Sequence, residues 1–221
     1  MYLPRIVITS GEPAGIGPDS CVALAQSDWD CDVVVAGDAE LLAAAANALS
    51  LPLRIERYDP STASAPHRAG ILKVMHMPTA RAVTAGRLDP RNAAYVIGML
   101  ERACDGCMNG EFAAMVTAPV QKSTLMEAGY AFTGHTEYLA ARTRAALPVM
   151  LLISDRLRVA PTRETYCQPP ESTRHRTSQQ AAEAARPSLR QGLALPQNVS
   201  TLPLRRPPID ADVGTWRSGG I

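Results

Sequence analysis

The sequence is poor in aromatics and nearly neutral. Phe and Trp occur twice each among 221 residues, and the formal net charge is +1. So even a balance gives no electrostatic reason to expect nucleic acid or an anionic membrane as partner. No apolar run reaches the roughly 18 residues of a spanning helix, so none is expected. The N-terminus opens directly on a strand-like run. It has no charged-then-apolar leader and no small-residue cleavage site, which predicts a cytoplasmic location. Cysteine is scarce, odd in number and scattered; the five thiols fit a reducing compartment better than a disulfide frame. Cys104 and Cys107 form one CxxC, and no second pair completes the four ligands of a structural zinc. The plainer reading is two small residues on a helix face. What is present is 46% hydrophobic residues, enough for an ordinary core.

Strand-like and helix-like stretches alternate through the first 160 residues. Arg5 to Thr9 is short, β-branched and apolar, a buried strand. A helix follows to about Gln26, with Pro18 in its first turn and Asp19 at its positive end. Cys31 to Asp38 is a second strand and Ala39 to Ser50 an Ala/Leu-rich helix. "LRIERY" and "ILKVMHM" are two further strands, separated by loop residues 59–70; Pro78 ends the second. Asp89 is placed to cap a long helix to Met108, with Val96, Met99, Leu100 and Ala103 on one face. "FAAMVTAP" is expected to be a buried strand, "VQKSTLMEAGY" a short helix, and "HTEYLAARTR" another. "VMLLIS" and "LRVA" suggest a hairpin around Ser154–Arg156. The alternation predicts an α/β fold, helices layered on a largely parallel sheet. Ligands in such folds bind at the C-terminal ends of strands.

After Ala160 the composition changes. Residues 161–221 hold eight of the 18 prolines, eight arginines and no lysine. Apolar periodicity is lost, and this tail is expected to be disordered or loosely packed.

Three stretches carry possible chemistry. "SGEPAGIGPD" places Gly11, Gly15 and Gly17 between a strand and a helix. Glycine there allows either close approach of a ligand to the backbone or a tight packing turn, and both readings stay open. The loop is neither a Walker A motif nor GxGxxG. In "GHTEY", His135 and Thr136 open a helix; an imidazole and a hydroxyl there can contact a phosphate, or they cap the helix incidentally. In "TAPVQK", Lys122 beyond a strand end can hold a phosphate as a point charge, or be a solvated surface lysine. His67 and His76 show no metal-ligand spacing and are expected to be structural; His175 gets no role.

The segments "ITSGEPAGIGPD", "VTAGRL", "ACDGCMNGEFAAMVTAPVQK", "GYAFTGHTEYLA" and "LRVA" occur in this order. Together they resemble the 4-hydroxythreonine-4-phosphate dehydrogenase family of pyridoxal 5'-phosphate (vitamin B6) biosynthesis, over residues 1 to about 160. The resemblance implies an α/β/α fold like that of isocitrate and isopropylmalate dehydrogenases. It implies NAD-dependent oxidation of 4-phosphooxy-L-threonine, followed by decarboxylation. A divalent metal (zinc, magnesium or cobalt) held by three histidines of a homodimer polarises the alcohol. His135 and Thr136 match the family's substrate-binding pair; Gly11, Gly15, Gly17 and Lys122 are further candidates.

The tail departs from the family. Thr165 stands about where the first metal-binding histidine belongs, and the later metal and substrate residues are absent. No catalytic or metal-binding residue is therefore assigned. The expected domains are an N-terminal α/β portion, 1–160, and a Pro/Arg-rich tail, 161–221, with the C-terminal part of the fold missing. A reading-frame shift near codon 160 would produce such a tail; other frames lacking a family-like continuation would overturn that expectation. The chain is then expected to be inactive, a dead fragment or pseudogene product. A paralogue acting on threonate or erythronate phosphate is the other alternative.

Overall fold

The computed structural model describes residues 3–146, 148–154 and 158–159. The chain divides into two units, Met1–Pro148 and Val149–Ile221. The tail after Ala160, with Thr165 and His175, lies outside the described residues.

In the first unit, strands β1 (Arg5–Thr9), β2 (Asp32–Gly37), β3 (Arg54–Arg57), β4 (Ile71–His76) and β5 (Ala114–Thr117) form one sheet. Its order is β3-β4-β2-β1-β5, and every pairing is parallel. β2 reads DVVVAG and is buried throughout, as expected of a strand covered on both faces. Helices α1 (Gly17–Leu24) and α2 (Ala39–Ala48) cover one face. There Cys21, Ala25 and Leu42 pack with Ile8, Val33, Val35, Leu72 and Val74. On the other face α3 (Ala93–Met108) lies against Val7, Val34 and Ala36. Leu125 of α4 (Lys122–Glu127) and Tyr138 of α5 (His135–Thr143) join that core. The α/β/α layering expected from the sequence is the architecture observed.

Val96, Met99, Leu100 and Ala103 are all buried on α3. Asp89 caps not α3 itself but the 3-10 turn Pro90–Asn92 leading into it, accepting the Arg91 amide at 3.0 Å. Asp38 ends β2 and caps α2, accepting the Glu40 and Leu41 amides through one carboxylate oxygen. Its other oxygen accepts the Thr79 amide and hydroxyl.

The strand expected to be buried, "FAAMVTAP", differs. β5 spans only Ala114–Thr117, and its residues alternate between exposed and partly buried. It ends the sheet, with one strand neighbour among the described residues. Phe112 precedes it as a core residue over α3, its ring 2.4 Å from where a Gly106 Cβ would sit.

A polar network closes the N-terminal end of the sheet. Asp32 pairs with Arg5 at 2.7 Å and Lys73 at 2.5 Å. Arg5 also donates to the Tyr58 hydroxyl, which donates to Glu111. Burial, then Glu111, pushes the Tyr58 phenol up to about 12. Such a network fixes register, because stranding either charge of a buried pair is costly.

In the second unit, β6 (Leu152–Ile153) and β7 (Arg158–Val159) pair antiparallel, the hairpin the sequence suggested.

Candidate functional site

The chain leaves β1 at Thr9 and runs as a loop over the C-terminal end of the sheet. Backbone bonds on both sides fasten it. Ser10 donates to the Ala36 carbonyl at 3.0 Å, and Glu12 donates to the Pro119 carbonyl at 2.9 Å. Gly11 has φ +71°, and a Cβ there would lie 2.4 Å from the Pro119 oxygen. A Cβ on Gly17 would lie 1.9 Å from the Ser10 oxygen. These two positions admit only hydrogen for reasons of backbone packing. Gly15 has more room, its nearest neighbour the Glu12 carbonyl at 3.3 Å. Gly15 and Ile16 form an exposed tip at this end of the sheet.

"VTAGRL" is brought to the same loop. Gly86 donates its amide to the Ala14 carbonyl at 2.8 Å, and Thr84 and Arg87 bridge each other. Two segments some seventy positions apart thus meet over one strand end.

Glu12 is not among the candidates the sequence offers. Its residue is 5% exposed, and its carboxylate accepts only a long bond, 3.4 Å, from the Ala14 amide. Burial raises its pKa, opposed by the Ala14 amide. An acidic residue between Gly and Pro in a glycine loop was the available signal. Thr9, at the strand end, is fully buried, and its Oγ1 has no hydrogen-bond partner.

β5 delivers the chain through Ala118–Gln121 to Lys122, the first residue of α4. This connection is the one packed against Gly11 and Gly17. α5 opens at His135 behind an extended Gly134, and no side chain caps its first amides. Lys122 Nζ is 3.8 Å from where a Gly134 Cβ would sit, and Glu137 Oε2 only 2.5 Å from it. Hydrogen at position 134 lets the lysine, the carboxylate and the helix start converge. The buried Phe132 meets the His135 ring edge-on at 5.5 Å. His135 Nε2 is buried without a hydrogen-bond partner. Burial first, and Lys122 second, lower the His135 pKa, so the ring is neutral near pH 7. Thr136 is partly buried in the same first turn. The structure therefore places Lys122 beside the His135–Thr136 helix start. Gly11 and Gly17 stand behind the connection that leads there.

The other histidines lie elsewhere. His67 is buried beside Trp29 and Cys31, bonded through its backbone to both. His76 Nδ1 accepts the Ala39 amide at the start of α2. Cys104 and Cys107 lie on α3, and burial raises both thiols. Among the described residues no group of three His, Cys, Asp or Glu could hold a metal ion. These residues do not fit the metal the resemblance implies. Among them, too, no helix is long and apolar enough to cross a membrane.

Comparison with known proteins shows the family. The profile of the family described as "Pyridoxal phosphate biosynthetic protein PdxA" matches residues 29–168. A 4-hydroxythreonine-4-phosphate dehydrogenase of Serratia proteamaculans (strain 568) is 51% identical over 156 residues, 71% of this chain and 47% of the relative. One from Azoarcus sp. (strain BH72) is 50% identical over 158 residues, 72% and 47% of the two chains. The crystal structure of the Burkholderia phymatum enzyme of that name superposes with a TM-score of 0.64 at 29% identity. It covers 74% of this chain and 50% of that one. A putative enzyme of that name from Salmonella typhimurium gives 0.65 at 30%, covering 72% and 51%. The chain spans about half the length of the curated relatives it matches. It belongs to the PdxA family.

Proposed function

We propose that this chain, as a PdxA-family member, serves the NAD-dependent oxidation and decarboxylation of 4-phosphooxy-L-threonine in pyridoxal 5'-phosphate biosynthesis. The relatives' shared name supports the substrate, and dehydrogenation supports a hydride acceptor, which we take to be NAD. A cytoplasmic homodimer is part of the same reading.

The described residues supply the phosphate-binding side of the substrate site. The observation that carries this is Lys122 standing over the uncapped start of α5, beside His135. Amide hydrogens at a helix start and a nearby ammonium both favour a phosphate. The neutral His135 ring, its Nε2 unpartnered, can accept or donate to the substrate; Thr136 adds a hydroxyl. Gly15 and Ile16 form the facing loop. NAD supplies the hydride acceptor when bound, and we assign no described residue to it. No group among the described residues fits a metal.

The test is calorimetric titration of the 221-residue chain with 4-phosphooxy-L-threonine, and with erythronate 4-phosphate as the alternative. Binding is expected, with loss on Lys122→Met and on His135→Ala. Binding that survives both substitutions would overturn the assignment. Tighter binding of the sugar acid would favour the paralogue.

A further inference from the structure

α5 carries His135 and Thr136 in its first turn, yet none of its residues is more than partly buried, and no side chain caps its start. A buried apolar stripe or a cap is what ordinarily fixes such a helix. Here the seating comes from further along. Arg142 donates through Nε and Nη2 to the two carboxylate oxygens of Asp105, at 2.8 and 2.6 Å. Its Nη1 donates to Glu101 Oε1 at 2.9 Å. The Tyr138 hydroxyl donates to that same oxygen, also at 2.9 Å. Glu101 and Asp105 stand one turn apart on α3, as Tyr138 and Arg142 do on α5. Two rungs therefore join the helices, and one guanidinium spans both. An isolated exposed ion pair holds little, but a bidentate fork within a network is the exception. Without Arg142 the two carboxylates would repel each other across the turn.

The rungs reach the helix start through rings. The Tyr138 and His135 rings both pack against Phe132, each with centroids 5.5 Å from it. Phe132 is buried, so it is a fixed point for the two. Burial, then Glu101, pushes the Tyr138 phenol up to about 12, and it remains a donor. We infer that Arg142 is a positioning residue: through Asp105, Glu101 and Tyr138 it holds the first turn of α5 so that His135 and Thr136 stand beside Lys122. It touches no reacting group itself. The inference rests on the reading of that helix start as the phosphate side of the site. A lysine would keep the charge but not the planar fork.

The experiment follows the His135 imidazole by NMR in the free 221-residue chain, beside calorimetric titration with 4-phosphooxy-L-threonine. Arg142→Met is expected to raise the His135 pKa toward the ordinary histidine value, because the loosened ring gains water. It should also shrink the rise that Lys122→Met causes, by at least about half. Affinity for the phosphorylated ligand should fall about tenfold. Asp105→Asn opens the fork from the other side, and a smaller rise is expected. Removing an acid would by itself lower a histidine pKa, so a rise there reads loosening and not lost charge. Arg142→Lys should recover only part of the wild-type titration. Arg54→Met, which removes the ion pair to Glu56 on β3, is expected to change neither reading. Circular dichroism establishes which variants fold; Asp105→Asn carries the test if Arg142→Met does not. Lower global stability alone leaves the titration of the folded chain where it was. A His135 titration indifferent to Arg142→Met and to Asp105→Asn would therefore overturn the proposal. A titration that moves while no ligand binds would uphold the positioning and overturn the phosphate reading instead.

Discussion

Ser10 Oγ and Tyr95 Oη lie 2.9 Å apart in the interior, joining the first strand end to α3. The same phenol accepts the Asp38 amide at 3.1 Å, so one hydroxyl ties the ends of β1 and β2 together. Burial pushes that phenol up to about 12, and it stays protonated at any ordinary pH.

Tyr95→Phe should therefore destabilise the fold although it keeps the ring. It strands a buried amide hydrogen and leaves Ser10 with the Met99 sulfur at 3.4 Å. The expected loss is about 1–3 kcal/mol, read from denaturant unfolding. An unchanged midpoint would mean that the bridge carries no weight.

Gly17→Ala should cost at least about 2 kcal/mol, because the new methyl meets backbone that cannot swing aside. Gly110→Ala is the control. Its φ is +82° but nothing lies within 4 Å, so only the left-handed penalty of about 1–2 kcal/mol applies. Reversal of that order in thermal melts would refute the packing account of the loop.

Lys122→Met should raise the His135 pKa, since it removes a repelling charge. The value should still stay below that of an ordinary histidine, because burial is the larger cause. Imidazole proton shifts followed by NMR across pH 4–9 would show it (about that range suffices). The sign for stability follows. A lowered histidine pKa adds stability above the unfolded value, and this is lost as pH falls through the folded value. A His135 titration insensitive to Lys122 would separate the two groups.

Glu12→Gln should stabilise the chain at neutral pH. Burial raises the folded pKa of Glu12, so its ionised form weighs against folding. Its favourable contribution is present below the unfolded value near 4.5 and is lost as pH rises through the folded value. The gap between variant and wild-type melting temperatures should therefore open with rising pH and close in acid. A gap of the opposite sign at pH 7 would mean that Glu12 has a charged partner holding it ionised.

The strands and helices were legible because their residues state their surroundings. After Asp32, β2 is apolar to its end and proves covered on both faces; α3 repeats its apolar residues every three or four and proves packed along that face. By sequence β5 reads as buried, because "AAMVT" has the composition of a central strand. Its exposure depends on what lies beside it, which composition does not encode. Glu12 is not legible in the sequence for a similar reason: its burial comes from the fold of the loop, not from its neighbours in sequence.

The sequence by itself determined the order of elements, the α/β class and the stretches that carry chemistry. These rest on local periodicity, chain stiffness and residue type. Only the tertiary structure decided that Gly11 and Gly17 are filled from behind by Pro119 and Ser10. It alone set Lys122 beside Gly134 and left His135 Nε2 without a partner. Such relations join positions far apart in the chain. They exist only once a parallel sheet has brought its strand ends to one side, where loops from separate strands must share the same space.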